Sequence, residues 1–416
     1  MVRKKLLSIT GALFFALNTH AGSWPEFRGP DGNGHVSGVV LPTKFEPGME
    51  AWKQSIPGKG WSSPVVHEGK IYLTTAIPQG DEKQPDQSLE ALCLNATDGK
   101  KVWQTKVVLQ KAETAPKIHN KNSHASPTPI YKDGKVYVHF GHMGTACLNA
   151  SDGKINWQIP GLYTKPTHGN GGSPILYKDL LIFSCDGMDA QKVVGLSISD
   201  GKVRWSVERN AGPAKPFSFC TPALIEDNNR KMVISPGSDM VGAYDPETGK
   251  ELWRVKYKGY SVIPKPVYSN GLVFISTSYD KPVLYAIKPN GNGDVTETHV
   301  AWKLDKNVPH TASMLLHKGN LFMVADNGMA SCVEQATGKV FWQERLQGAY
   351  SASPVLSGEN LFFQSEDGKT TVLKAKSTFE QVSTSDMKDR TLASYAIADG
   401  KLFVRTEKQL FAFPIK

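Results

Sequence analysis

Histidine, asparagine and aromatic side chains gather at one recurring place in this chain, just ahead of a Ser/Thr-Pro step. His119, Asn120, Lys121, Asn122 and His124 precede one such step, His168 and Asn170 precede another, and His310 precedes a third. At the matching place in other repeats stand Trp61, Phe219, Tyr260 and Tyr350. Neutral imidazole and amide groups beside aromatic rings can hold a small polar ligand, a glycan or a metal ion. They can equally do no more than satisfy backbone groups at strand starts, and their spacing follows the repeat rather than metal geometry. The candidate binding set is Trp61, His124, His168, Asn170, His310 and Tyr350, with no catalytic residue and no metal ligand assigned.

The elements that must position these residues follow from an internal repeat. Phrases such as ALCLNATDGKKVW and TACLNASDGKINW end in Gly-Lys, two further residues and Trp, closing at Trp103, Trp157, Trp205, Trp253 and Trp342. Trp52 and Trp302 extend the series, with intervals from 40 to 54 residues, the range of propellers and solenoids. Between tryptophans run Ser/Thr-Pro, an apolar triplet, an Asp-Gly or Asn-Gly turn and a β-rich run, as in WSSPVVHEGKIYLTT. That grammar reads strand, tight hairpin, strand, and each unit holds about four short antiparallel strands, the content of one propeller blade. The Ser/Thr-Pro-like strand occurs eight times, near Pro64, Pro129, Pro174, Pro222, Pro266, Met314, Pro354 and Ser394. An all-β, eight-bladed propeller is expected, with seven blades as the alternative.

Closure has a sequence signature too. The chain ends at Lys416 after the third strand of its last unit, so the missing outer strand should come from the segment between Leu41 and Ile56. In the Gly-Lys phrase, Gly supplies positive φ for the last hairpin. The seven tryptophans Trp52, Trp103, Trp157, Trp205, Trp253, Trp302 and Trp342 are expected to lie flat between blades as structural staples, each indole N–H facing a backbone carbonyl. PNGNGD at Pro289 to Asp294 reads as a turn between two strands of one blade.

The chain divides into residues 1–21, 22–40 and 41–416. Arg3, Lys4 and Lys5 ahead of an apolar stretch from Leu6 to Leu17, then Thr19-His20-Ala21, read as a cleavable secretion signal, too short for a stable membrane anchor. The mature chain is expected in the periplasm or outside the cell. Residues 22–40 are dense in Gly and Pro around Trp24, Phe27 and Arg28, and read as a clip packed on one propeller face with Arg28 bonding carbonyls or a carboxylate. Residues 41–416 are the propeller.

The formal charge of +9 includes the three basic residues of the signal, and no Lys/Arg cluster interleaves with aromatics, so nucleic-acid binding is not expected. Cys93, Cys147 and Cys332 hold like positions in three blades, too far apart to pair. They read as buried apolar residues, while one bridge between Cys185 and Cys220 stays open. Neither His-Glu-x-x-His, Gly-x-Ser-x-Gly nor a Walker loop occurs. Two irregular stretches, Ile77 to Ser88 and Leu109 to Asn122, are the places where loops above a rigid scaffold would carry binding residues.

The Gly-Lys-x-x-Trp phrases resemble the tryptophan-docking repeats of pyrroloquinoline quinone (PQQ) propellers, shared by quinoprotein alcohol dehydrogenases and an outer-membrane assembly propeller lipoprotein. More narrowly, WPEFRGPDGNG, HGNGGSPIL and ASYAIADGKLFVRTEKQLFAF are similar to secreted PQQ-like repeat proteins of planctomycetes and verrucomicrobia. Quinoprotein alcohol dehydrogenases carry a vicinal Cys-Cys disulfide and a calcium-binding set. Here no two of the five cysteines are adjacent and Cys-x-x-Cys-His is absent. The resemblance therefore implies a non-enzymatic binding or assembly scaffold for a protein or polysaccharide partner, monomeric and without a cofactor. Its alternative is a PQQ- or metal-dependent oxidoreductase, with PQQ and calcium at the channel mouth.

Overall fold

The computed structural model describes residues 22–415, so the expected secretion signal lies outside the described residues. Alternating apolar and polar residues resolve into eight antiparallel four-stranded units arranged as a propeller. The alternative of seven blades is excluded. Inner strands of blades 1 to 7 begin at Val65–His67, Ile130–Lys132, Ile175–Tyr177, Ala223–Asp227, Val267–Ser269, Leu315–His317 and Val355–Ser357. Blade 8 runs Ala396–Ala398, Lys401–Arg405 and Gln409–Pro414, and its outer strand is Trp52–Ser55. Both ends of the propeller thus share one sheet, which hides the edges an open array would leave.

The packing between blades explains the repeated phrase. Indole nitrogens donate across the interface to a carbonyl of the next blade: Trp52 to Ala96 at 3.1 Å, Trp103 to Ala150 at 2.9 Å and Trp157 to Ile198 at 2.9 Å. Trp205 reaches Pro246, Trp302 reaches Gln335 and Trp342 reaches Lys376 in the same way. Each ring that faces a Gly-Lys turn lies against its glycine. A Cβ on Gly153, whose φ is +72°, would stand 2.7 Å from the Trp103 ring. One glycine thus supplies both a left-handed turn and the space for the neighbour's indole. Trp253 is wholly buried but its indole N–H has no partner among the described residues. Apolar residues merge across the same seams, as Tyr72 and Cys93 of blade 1 do with Val136 and Leu148 of blade 2.

A second set of links runs around the channel. At the start of seven of the eight inner strands, the backbone N–H at the Ser/Thr-Pro-like step bonds the hydroxyl of the neighbouring blade. Ser63 N–H donates to Thr128 Oγ1 at 3.0 Å, Thr128 N–H to Ser173 Oγ at 2.9 Å, and Ser173 N–H to Thr221 Oγ1 at 2.9 Å. The chain of bonds resumes from Lys265 N–H to Ser313 Oγ at 3.0 Å, then to Ser353 at 3.1 Å and Ser394 at 2.9 Å. Ser394 N–H closes the circle on Ser63 Oγ at 3.1 Å. The single gap is at blade 5, where Lys265 stands in place of Ser or Thr.

Other features refine the sequence reading. PNGNGD is more than a turn within blade 5, because Gly293–Asp294 adds a fifth, parallel strand to the outer edge of blade 4. Ile77 to Ser88 mostly extends a hairpin, Lys70–Gln79 with Asp86–Asn95, rather than forming a loop. All five cysteines are buried and free, so Cys185 and Cys220 do not pair. Burial pushes the thiols of Cys93, Cys185 and Cys332 up to about 12.

Residues 22–40 cross the base of the channel. Ser23–Trp24 pairs with the inner strand of blade 1, and His35–Val36 pairs in parallel with that of blade 7. Between them, Pro25 accepts from Tyr131 N–H of blade 2, and buried Arg28 donates to the carbonyls of Asn33 at 2.6 Å and Met314 at 2.7 Å. Lys265 of blade 5 sits 4.0 Å from Glu26. Burial raises the Glu26 carboxyl and lowers the Lys265 ammonium, each only partly offset by the other.

A Gly153→Ala protein should lose stability through both the positive φ and the clash with Trp103. A fall in melting temperature of roughly 2–4 °C per kcal/mol lost is expected, whereas an exposed turn glycine with open space, such as Gly134, should lose less when changed to Ala. Equal losses at the two sites in a thermal melt would contradict the docking account.

Candidate functional site

Loop 111–122 follows the long outer strand of blade 1, Lys101–Gln110, and crosses the channel mouth. Lys121 at its end reaches the far side, where its ammonium lies 3.0 Å from Asp326 of blade 6 and 2.9 Å from Glu366 of blade 7. Burial alone would lower that ammonium, but the two carboxylates outweigh it and its pKa is raised. Arg390 donates to the Asn120 carbonyl at 2.8 Å, and Asn122 Nδ2 donates to the His168 carbonyl at 2.8 Å. Four blades therefore hold one loop over the mouth.

Beneath it lies a cavity of about 350 Å³, within the size range of small-molecule sites. Phe27 of the clip forms its floor, the hydroxyl belt its lower wall, and Trp61, Phe217, Phe219, Tyr260 and Tyr279 its aromatic upper wall. Rings touch in series around the mouth: His119 to His168 at 5.7 Å, His168 to Phe217 at 5.7 Å, Phe217 to Tyr260 at 5.7 Å, and Tyr279 to His310 at 4.9 Å. Burial, with His119 and Lys117 adding repulsion, lowers the His168 imidazole. Asp326 Oδ1 accepts from the backbone N–H of His310 at 3.0 Å and of Thr311 at 3.1 Å.

The six candidate residues do not form one constellation. Trp61 and His168 line the cavity, and His310 packs on Tyr279 at its border. Tyr350 is wholly buried, with its hydroxyl donating to the Gln347 carbonyl at 3.0 Å. Asn170 packs on Gly141, and its Nδ2 has no partner. His124 is absent from the lining and bears electrostatically on His142. His142 belongs to a separate half-buried group in blade 2, bonded to Gln110 Nε2 at 3.1 Å, beside buried His139, which bonds Thr145 at 2.8 Å. Burial drives the His139 imidazole down to about 3 and that of His142 down to about 4, with His142 lowering His139 further and His124 lowering His142 further. Among the described residues no group of three or more His, Cys, Asp or Glu is arranged to hold a metal ion.

Phe27, Asp326, Glu366 and the belt hydroxyls are lining or mouth residues beyond the candidate set. The belt had a signal, since its Ser and Thr are the residues of the Ser/Thr-Pro steps that number the blades. Asp326 and Glu366 had none, because only folding brings them to Lys121, 205 residues from Asp326 in sequence.

With this geometry, the chain matches the family described as "Outer membrane protein assembly factor BamB" over residues 43–215 and 292–413. It is 22% identical over 314 residues to the outer membrane protein assembly factor BamB of Yersinia pestis, covering 72% of this chain and 71% of that protein. It is 26% identical over 141 residues to quinohemoprotein alcohol dehydrogenase ADH IIB of Pseudomonas putida, covering 30% of this chain but 19% of that enzyme's length. The crystal structure of quinohemoprotein alcohol dehydrogenase from Comamonas testosteroni superposes with a TM-score of 0.65 at 12% identity, over 98% of this chain and 82% of that one. At that identity the likeness is one of fold.

Two outcomes follow. Changing Lys121→Met should free loop 111–122, seen as faster amide hydrogen exchange in that loop with the blade strands unchanged; unaltered exchange would show that the ion pairs do not hold it. For the histidines, the unfolded chain takes up protons below about pH 6.5 that the folded rings refuse until about 4 and 3. Their contribution is therefore intact above pH 6.5 and is lost as pH falls toward 4. A His142→Gln protein should show a shallower fall in stability between pH 6.5 and 4.5, by up to about 1.4 kcal/mol per pH unit, in denaturant titrations.

Proposed function

The chain belongs to the family described as outer membrane protein assembly factor BamB, and from that premise we propose that it is a non-enzymatic periplasmic or secreted scaffold holding a protein or polysaccharide partner on its outer surface. The observation that carries this reading is the obstructed channel. Phe27 fills the floor and loop 111–122 spans the mouth, so a macromolecule meets rim loops and outer strands. Outer strands of blades 1, 2 and 3, Lys101–Gln110, Ile155–Ile159 and Val203–Glu208, end their sheets. They expose Val102 (44%), Ile155 (38%) and Val203 (47%). Blade 4 offers a precedent within the chain, since Gly293–Asp294 pairs along its outer strand. An extended segment of a partner can add to the free edges by the same backbone bonds, which favours protein over polysaccharide.

The alternative of a quinone-dependent oxidoreductase rests on similarity to the quinohemoprotein alcohol dehydrogenases. Pyrroloquinoline quinone carries three carboxylates and needs cationic partners. Among the described residues, Lys121 is the one lysine or arginine lining the cavity, and Asp326 and Glu366 already share it. The residues present do not fit that group, and the scaffold reading involves no step through it.

Placing a photo-crosslinking residue at Ile155 or Val203 in cells should yield a discrete adduct that the same residue at exposed Glu68 does not. Absence of adducts at both edges, together with a saturable rise in melting temperature on adding PQQ and calcium, would reverse the reading in favour of the oxidoreductase.

A further inference from the structure

The belt hydroxyls have a donor left over. A serine or threonine hydroxyl can accept and also donates one proton. Each of the seven belt oxygens accepts a backbone N–H from the neighbouring blade. Among the described residues, none of the seven has an acceptor for its own proton. All seven are buried, from Ser63 at 2% exposed to Ser394 at 5%, and all border the same cavity. Buried donors without acceptors are rare in folded proteins, and seven facing one space are not explained by blade packing. Trp61 adds to the set: it lines the cavity, is 6% exposed, and its indole N–H has no partner.

The remaining walls narrow the occupant. A ligand must bring several oxygen acceptors to the belt and an apolar face to Phe219, Tyr260 and Trp61. An uncharged ligand fits best, because the nearby cations are already engaged, Lys215 lying 3.9 Å from the Tyr260 ring centroid and Arg390 5.6 Å from that of Trp61. The Lys121 ammonium is balanced by two carboxylates at the mouth, and Lys265 is directed to Glu26 below the floor. We infer that the channel chamber is a binding site for a neutral sugar ring, whose oxygens accept from the belt hydroxyls while its C–H face lies on the aromatic upper wall. Sugar rings combine these two surfaces in one compact molecule, and the cavity's 350 Å³ is of small-molecule size. This site is independent of the partner-binding reading, because the chamber lies inside the ring and the free edges lie outside it.

Saturation-transfer NMR on the whole protein, followed by calorimetry, tests the inference with a panel of glucose, galactose, N-acetylglucosamine, maltose and cellobiose, and glucuronate as the charged control. At least one neutral sugar should bind saturably, with glucuronate weaker by about tenfold or more. Thr221→Val keeps the side-chain shape but removes a belt hydroxyl, and should weaken binding about fivefold or more. Ile263→Trp fills the chamber from a wall outside the belt, and should abolish binding while the melting temperature stays close to that of the parent. A silent neutral panel overturns the proposal and leaves the chamber to ordered water. Binding that survives Ile263→Trp in a folded protein also overturns it, by placing the sugar on the outer surface.

Discussion

Ring closure in this protein depends on one kind of bond, a backbone N–H at the mouth of seven of the eight inner strands donating to the hydroxyl of the next blade. Outside blades 1 and 7, where the clip adds a short strand, an inner strand has no further sheet neighbour, and the donors at its start would be orphaned around the axis. A serine or threonine placed just before the proline solves this for the neighbour on one side, and the same solution repeated around the circle makes a belt. At the periphery the indole-to-carbonyl bonds do for the outer strands what the belt does for the inner ones. Between the two rings of bonds lie the shared apolar clusters, which supply most of the burial.

Departures from the repeat concentrate at one seam. Between blades 4 and 5 the belt is interrupted by Lys265, the indole of Trp253 lacks its carbonyl, and the Gly-Lys turn is replaced by the segment that lies along blade 4 as an extra strand. The added strand supplies backbone bonds where the standard staple is lost. Lys265, released from the belt, turns to the clip and meets Glu26, so the same substitution that opens the belt ties residues 22–40 to the ring.

The chamber is a product of both ends of the channel being crossed by segments outside the repeat. From below, the clip spans blades 1, 2, 5, 6 and 7 through strand pairing, Arg28 and Lys265. From above, loop 111–122 is held by ion pairs on blades 6 and 7. The chamber between these two crossings has its chemistry set by hydroxyls and aromatic rings rather than by charge.

The sequence by itself determined the propeller with eight blades ahead of seven, the strand grammar, a closing strand between Leu41 and Ile56 and the positions of the seven tryptophans. All of these follow from a repeat in which residue type and spacing recur, so each copy corroborates the rest. It also placed Trp61 and His168 at the channel. It did not separate them from Tyr350, which the fold buries, or from His124 and Asn170, which do not line the chamber. In an alternating strand one residue's shift in register exchanges inside for outside, and the segments before the Ser/Thr-Pro steps are irregular enough to lose that register. Only the tertiary structure decided that Lys121 meets Asp326 and Glu366, that Phe27 closes the floor, and that seven hydroxyls counted as blade markers face one cavity. Those contacts join residues tens to hundreds of positions apart, and the curvature of the ring, which no local pattern encodes, brings them together.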